Sequence, residues 1–334
     1  MTDLAAAERA IETSSRSEEL ELLLERHRGE LTAYCYRMLG SAFEAEDAVQ
    51  ETGLRAWRAL ESFEGRAQLK SWLYRIATNV CLDMAAGSQR RARPMDLGPA
   101  QSADGPLGEA LAEATWIEPL PDASLHLEKD PAERALAKES VRLAFVAALQ
   151  HLPPRQRAVL ILREVLRWRA DETAALLDTS VASVNSALQR ARATLARTEL
   201  DASEPYEPLD TDQARLLERY VDAFERYDMD SLTALLSDEA RLSMPPYALW
   251  LRGPDQICAW MLGPGQGCRG SRLVATAANG AAAFGQYRPA PSGGHEPWAL
   301  QVIEVSGGEL VGINAFLDTA RLFPLFGLPP RLES

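Results

Sequence analysis

Residues 155–198 read RQRAVLILREVLRWRADETAALLDTSVASVNSALQRARATLART. The apolar residues recur at spacings of three and four, the period of an amphipathic helix. Three helices are predicted, over RQRAVLILREVL, DETAALL and VASVNSALQRARATLAR, with the short break DTS before the last. That order is a helix-turn-helix. In the last helix Val181, Val184, Leu188, Ala191 and Leu195 form an inward stripe, and Ser183, Asn185, Ser186, Gln189, Arg190 and Arg192 lie away from it. Short hydrogen-bonding side chains followed by arginines suit a helix that enters a DNA major groove. These six are the candidate DNA contacts. A solvent-facing helix of an ordinary helical domain carries the same pattern, so the segment alone leaves both readings open.

The surrounding chain is acidic. It has 334 residues, 35 Lys+Arg against 48 Asp+Glu, and a net charge of −13. It is too long for one small domain and wrongly charged for a generic nucleic-acid coat protein. The charge is uneven: 141–200 holds 9 basic and 5 acidic residues and 1–94 holds 13 and 15, whereas 95–140 holds 3 and 10 and 201–334 holds 10 and 18. The first two segments are the ones able to meet DNA. Cys35, Cys81, Cys258 and Cys268 are scattered without a CxxC pair, so neither a zinc site nor a disulfide framework is expected. No signal peptide and no membrane-length apolar run is visible, which predicts a soluble, cytoplasmic protein without membrane contact.

Residues 1–18 are expected to fray, with helical periodicity from Glu19 to Gly40-Ser41, then over about 42–60 and 68–86. Asp47, Gln50 and Glu51 fall on the second of these helices; acid early and base late also suits the helix dipole. The loop Phe63-Glu64-Gly65-Arg66 precedes a helix carrying Trp72, Arg75 and Asn79. A mobile loop beside aromatic and polar groups can accept an extruded base and stack a single strand. Tyr74 and Trp72 fit a core equally well. Residues 95–131 are rich in proline and acid and read as a linker, with a short helix at 107–114 and Trp116 docking on a neighbouring surface. Helix is expected again over 132–150, and a second linker over 201–209.

From 210 onward the pattern changes. Amphipathic helices at 211–227 and 230–236 precede extended runs near 240–244, 271–278, 281–288, 297–305 and 309–317, with a helix near 254–262 and a hairpin turn at Ser306–Glu309. This describes an α+β cone whose concave face is expected to enclose an apolar cavity. Tyr247, Trp250, Asn314 and Asp318 are its candidate polar residues, and His295 reads as a surface-loop residue.

Two stretches carry a resemblance. DAVQETGLRAWRAL…FEGRAQLKSWLYRIATNVCLD at 47–83 resembles region 2 of the extracytoplasmic-function sigma factors, the minimal sigma-70 subunits of bacterial RNA polymerase. LPPRQRAVLILREVLRWRADETAALLDTSVASVNSALQRARATL at 152–195 is similar to their region 4. The remainder resembles the SnoaL-like branch of the NTF2 fold, and Trp116–Asp122 resembles a linker element of the SigG-type mycobacterial group. A related group bears Asn-Pro-Asp-Lys-Leu near its C-terminus, where this chain has Asp318-Thr319-Ala320-Arg321-Leu322.

The resemblance implies a multidomain protein: two all-α domains (19–94 and 132–200) joined by the 95–131 linker, then an α+β SnoaL-like cone at 210–334. It implies core RNA polymerase, through the β′ clamp helices and β flap, and promoter DNA as partners. Asp47, Gln50 and Glu51 would face polymerase; Phe63, Glu64, Gly65, Arg66, Trp72, Arg75 and Asn79 would handle the unpaired −10 strand. The region 4 helix would read the −35 element, although Ala187 stands where the family commonly has arginine. Regulation in cis by the cone, without a required anti-sigma partner, is the further implication. No catalytic residue, metal or cofactor is expected, and a small-molecule ligand in the cone stays open. The competing readings are a polymerase-independent helix-turn-helix regulator with a sensory cone, and an isomerase or cyclase fused to a DNA-binding module.

Overall fold

A computed structural model describes residues 2–60, 69–87, 89–125, 135, 138–197 and 211–333. The chain forms two compact units. The first, helical unit comprises 1–88, 123–129 and 148–200; the second comprises 89–122, 130–147 and 201–334.

In the helical unit, α1 (Thr2–Leu39) begins well before the expected Glu19. The run TDLAAAERAIE has strong helix formers and no glycine or proline, so nothing in it ends the helix. Gly40, at φ 77°, terminates α1, and Ser41 caps α2 (Ala42–Ala59) by accepting from the Glu44 amide at 3.2 Å. α3 (Leu69–Ala85) completes the first bundle. Its core is aromatic: the Tyr34 and Tyr74 rings meet edge-on at 5.3 Å, and Tyr34 donates to Thr78, 2.7 Å away, whose own hydroxyl donates to the Tyr74 carbonyl.

α4 (Leu143–Gln150) covers only the end of the expected 132–150 helix: residues 135, 138 and 139 are helical, a turn at 140–141 interrupts the run, and 132–134 and 136–137 lie outside the described residues. α5 (Pro154–Leu160) begins at a proline and runs into a π-helical turn at Ile161–Val165. α6 (Ala170–Leu176) and α7 (Val181–Leu195) follow, with the tight turn at Asp178 in a left-handed conformation, φ 50°. Arg157 locks α5 in place. It is 6% exposed and donates to the carbonyls of Leu149 (2.9 Å), Gln150 (3.3 Å), Leu152 (3.1 Å) and Met38.

The second unit is α+β. α8 (Thr211–Arg226) and α9 (Met229–Thr233) lead into six strands: β1 (Leu236–Ser243), β2 (Trp250–Arg252), β3 (Arg272–Ala278), β4 (Ala281–Pro289), β5 (His295–Ser306) and β6 (Glu309–Phe316). α10 (Pro254–Leu262) follows β2 and α11 (Thr319–Leu325) follows β6. The sheet order is β2-β1-β6-β5-β4-β3, antiparallel except for the parallel β1–β6 pair. β2 and α11 are missing from the sequence reading, because three residues and a Pro-containing heptad are too short to show a period.

One sheet face packs on α8, α9 and α10 through Tyr220, Phe224, Phe284, Ile303 and Ile313. A buried polar chain crosses it: Tyr220 Oη donates to Gln301 (2.6 Å), Gln301 to Gln286 (2.9 Å) and Gln286 to Ser271 (3.0 Å). On the other face Tyr287 meets Phe323 of α11 edge-on at 5.1 Å and donates to the Pro329 carbonyl at 2.8 Å.

The proline-rich segment expected as a tether is instead built into this unit. Trp116, Ile117 and Leu120 are 2–3% exposed. Ala92 pairs in parallel with Trp116, and the expected 107–114 helix reduces to one 3₁₀ turn at Glu113–Thr115, since Pro106 and Gly108 (φ 78°) break the run. Gln101 N donates to the Trp250 carbonyl and Leu111 N to that of Pro246, each at 2.9 Å. Buried apolar side chains and backbone hydrogen bonds to the cone thus order this segment together.

Candidate functional site

The first site is the outer surface of α7. Ser180 caps the helix, its hydroxyl accepting from the Ser183 amide at 3.1 Å. Val184, Leu188 and Ala191 are buried, whereas Ser183, Asn185, Ser186, Gln189, Arg190 and Arg192 are all exposed. Two residues depart from the expected stripe. Val181 is 42% exposed and Leu195 is half-buried, because the helix runs past its core at both ends. Arg192 is also spoken for: its Nη2 lies 2.6 Å from Glu164 Oε1 on the π-helical turn. Replacing Arg190 by alanine is therefore expected to weaken duplex DNA binding several-fold and to lower the salt dependence by about one counterion, whereas Arg192→Ala changes both little. A titration of duplex binding against salt for the two variants decides this; equal losses would contradict the geometry.

The second site is α3. Arg75 and Asn79 are exposed and Trp72 is half-buried, at positions that share one helix edge. Tyr74, by contrast, is core, 1% exposed between Tyr34 and Trp168, whose rings lie 5.3 and 5.2 Å away. The helix-turn-helix thus braces α3 through Trp168. Phe63, Glu64, Gly65 and Arg66 lie outside the described residues.

On α2, Asp47 and Gln50 are exposed. Glu51 is half-buried and accepts from Arg55 at 2.8 Å, and Arg55 also reaches Asp83 at 2.9 Å. Glu51 and Asp83 together hold the Arg55 guanidinium above its usual range. The sequence reading did not select Leu54 and Trp57, 48% and 60% exposed, which continue the Asp47–Gln50 face at helical spacing. Trp57 reads from the sequence as one of the semi-apolar positions of this helix, with Ala45, Val49 and Thr52, but it is exposed where those three are buried. The basic run at 89–93 forms no outward patch: Arg91 is 6% exposed and donates to the carbonyls of Trp116 (2.7 Å) and Glu113 (3.2 Å), and Arg93 pairs with Asp96.

The third site joins linker and sheet. The β3–β4 turn, Asn279-Gly280, has both residues at positive φ (56° and 73°), the form that a two-residue hairpin requires. Asn279 is 1% exposed. Its Oδ1 accepts from Leu120 N (2.9 Å), its own N–H donates to the Leu120 carbonyl (3.0 Å) and its Nδ2 donates to that of Val141 (2.6 Å). Gly280 N donates to Asp122 Oδ1 at 2.7 Å, and Lys138 pairs with Asp122 at 3.0 Å. A Cβ at Gly280 would lie 2.8 Å from Lys138 Cβ, so this approach admits only glycine. One turn therefore grips the segments at both 120–122 and 138–141.

Beside this contact lies a cavity of 460 Å³. Leu111, Glu113, Trp116, Glu118 and Pro119 form its linker wall; Pro245, Tyr247, Trp298, Phe316 and Asp318 are on the sheet side. Of the expected cone residues, Tyr247 and Asp318 line it. Trp250 and Asn314 do not: the Trp250 indole donates to the Gly98 carbonyl at 2.9 Å, and Asn314 accepts from Ser243 at 2.8 Å. The cavity is on the sheet face opposite the packed helices, since Phe316 pairs with Leu300 on the side away from Gln301 and Ile303. Strand alternation alone does not say which face the linker covers. Arg321 ties Glu113, Glu118 (3.1 Å) and Asp318 (3.5 Å) together. Burial by itself lowers its pKa, but the three carboxylates hold it above the usual guanidinium range.

Among the described residues, no group of three His, Cys, Asp or Glu side chains is placed to hold a metal ion, and no helix is long and apolar enough to cross a membrane. The sigma-70 region 2 profile matches residues 23–91, a sigma-70 region 4 profile 142–195 and a SnoaL-like domain profile 217–317. The chain is 46% identical over 320 residues to the ECF RNA polymerase sigma factor SigG of Mycobacterium tuberculosis, covering 92% of this chain and 83% of the relative. It is 29% identical to the probable ECF RNA polymerase sigma factor SigI of the same organism, over 63% of this chain and 64% of that one. The crystal structure of M. tuberculosis SigJ aligns over 91% of this chain and 98% of its own, with a TM-score of 0.58 at 20% identity, a likeness of fold.

Proposed function

Since the chain belongs to the extracytoplasmic-function sigma factors, with a SnoaL-like domain appended as in the SigG-type members, we propose that it binds core RNA polymerase and promoter DNA and that its C-terminal domain restrains it in cis. The polymerase performs the chemistry. The α2 face with Asp47, Gln50, Leu54 and Trp57 is the polymerase contact; α3 with Trp72, Arg75 and Asn79 handles the opened −10 strand; α7 reads the −35 duplex. Arg190 holds phosphate as readily as it reads a base, so promoter sequence does not follow from it.

The observation that carries regulation in cis is the Asn279-Gly280 grip. A linker whose backbone groups are bonded to the cone cannot offer the same groups to polymerase, so the captured state is the restrained one, and no separate anti-sigma partner is required. Run-off transcription with purified core polymerase tests the whole reading. The full chain is expected to direct initiation from a −35/−10 promoter, and failure on every promoter of a genomic library would overturn it. Within that assay, Trp72→Ala together with Asn79→Ala is expected to reduce promoter opening about tenfold or more while duplex −35 binding stays within twofold. Equal loss of both would refute a specific role of these residues in promoter opening.

A further inference from the structure

The 460 Å³ cavity is large enough for a small organic molecule and is lined by the aromatic residues Trp116, Tyr247 and Phe316. Its charged rim is acidic. Glu113, Glu118 and Asp318 line it, against Arg321, which bonds all three, and Arg91, 3.7 Å from Glu118. These five groups leave one negative charge in excess. Trp116 is 3% exposed, so the linker wall of the cavity is firmly seated.

Aromatic faces beside carboxylates are attractive to organic cations and repel anions. We propose that the cavity binds a small aromatic amine, its ammonium toward Asp318 and its ring between the linker and sheet walls. Because one wall is linker and the other is cone, such a ligand binds the captured arrangement and stabilises it by mass action. That regulatory consequence rests on the cis reading above; the binding does not.

The test uses the full chain and three probes of nearly one shape: tyramine (cation), 4-ethylphenol (neutral) and 3-(4-hydroxyphenyl)propanoate (anion), followed by calorimetry. Tyramine is expected to bind with a dissociation constant of about 1 mM or tighter, the range for a ligand of this size, and at least tenfold more tightly than the anion. Asp318→Asn, a half-exposed position, is expected to weaken tyramine about fivefold and to leave 4-ethylphenol unchanged, while Tyr247→Ala weakens both. Absence of tyramine binding at 10-fold higher concentration, or an anion that binds as well, overturns the proposal. So does tyramine binding that is indifferent to both substitutions. These failures would leave linker capture standing, and an Asn279 variant without effect on transcription would leave the binding standing.

Discussion

Replacing Arg157 by methionine is expected to destabilise the helical unit by about 3–5 kcal/mol, the cost of leaving several buried carbonyls without a donor. Arg157 sits on the first turn of α5 and serves the carbonyls of Leu149, Gln150, Leu152 and Met38, so it joins the end of α1 to the start of the helix-turn-helix. Burial lowers its pKa to about 10, which still leaves it charged at neutral pH. Methionine fills similar volume but donates nothing. The loss is roughly a third of the stability of an ordinary domain. Hydrogen exchange of amides in 149–166 is expected to accelerate at least a hundredfold. Arg155→Met, two residues away and exposed, is expected to shift stability by less than about 0.5 kcal/mol. If the two variants exchange alike, the four-carbonyl clamp does not hold the unit together.

Asn279→Ala is the second large effect. It removes the acceptor for Leu120 N and the donor to the Val141 carbonyl, and it places alanine at φ 56°. Together these amount to about 2–4 kcal/mol at the linker contact. Exchange of the Leu120 amide is expected to rise about a hundredfold while the β5–β6 amides stay protected. Asn279→Gly separates the two contributions, since glycine keeps the turn without strain and still loses both side-chain bonds. It is expected to release the linker almost as fully. In run-off transcription both variants are expected to be at least threefold more active than the parent chain. Released amides with unchanged transcription would refute restraint through the linker; unchanged amides would refute the grip itself.

Much of the architecture was legible because its signals are local. The three-and-four spacing in 155–198 located α5, α6 and α7, and the Gly40-Ser41 pair marked the α1–α2 corner. Five of the six strands were visible as extended runs, and Ser306–Glu309 as a turn. The outward polar face of α7 followed from the same period. The misses have a common cause. Val181 matches the apolar stripe in spacing but lies where the helix outruns its core, and Arg192 matches the basic face but is drawn to Glu164, 28 residues away. Arg91 and Arg157 look like surface arginines and are buried carbonyl clamps. Nothing in their neighbours announces this, because the partners of Arg91 lie 22 and 25 residues on and the Met38 carbonyl lies 119 residues before Arg157.

The sequence by itself determined that this chain has two helical modules with outward polar faces and an α+β module behind an acidic, proline-rich segment. Periodicity, caps and turn residues decide those features within a dozen positions. Only the tertiary structure decided what the proline-rich segment does. Composition reads it as a tether, yet the Asn279-Gly280 turn binds it from about 160 residues away, and the aromatic cavity exists only where the two meet. The physical reason is that backbone hydrogen-bond partners and cavity walls are set by which surfaces come together, and a segment without a hydrophobic period carries no local record of that choice.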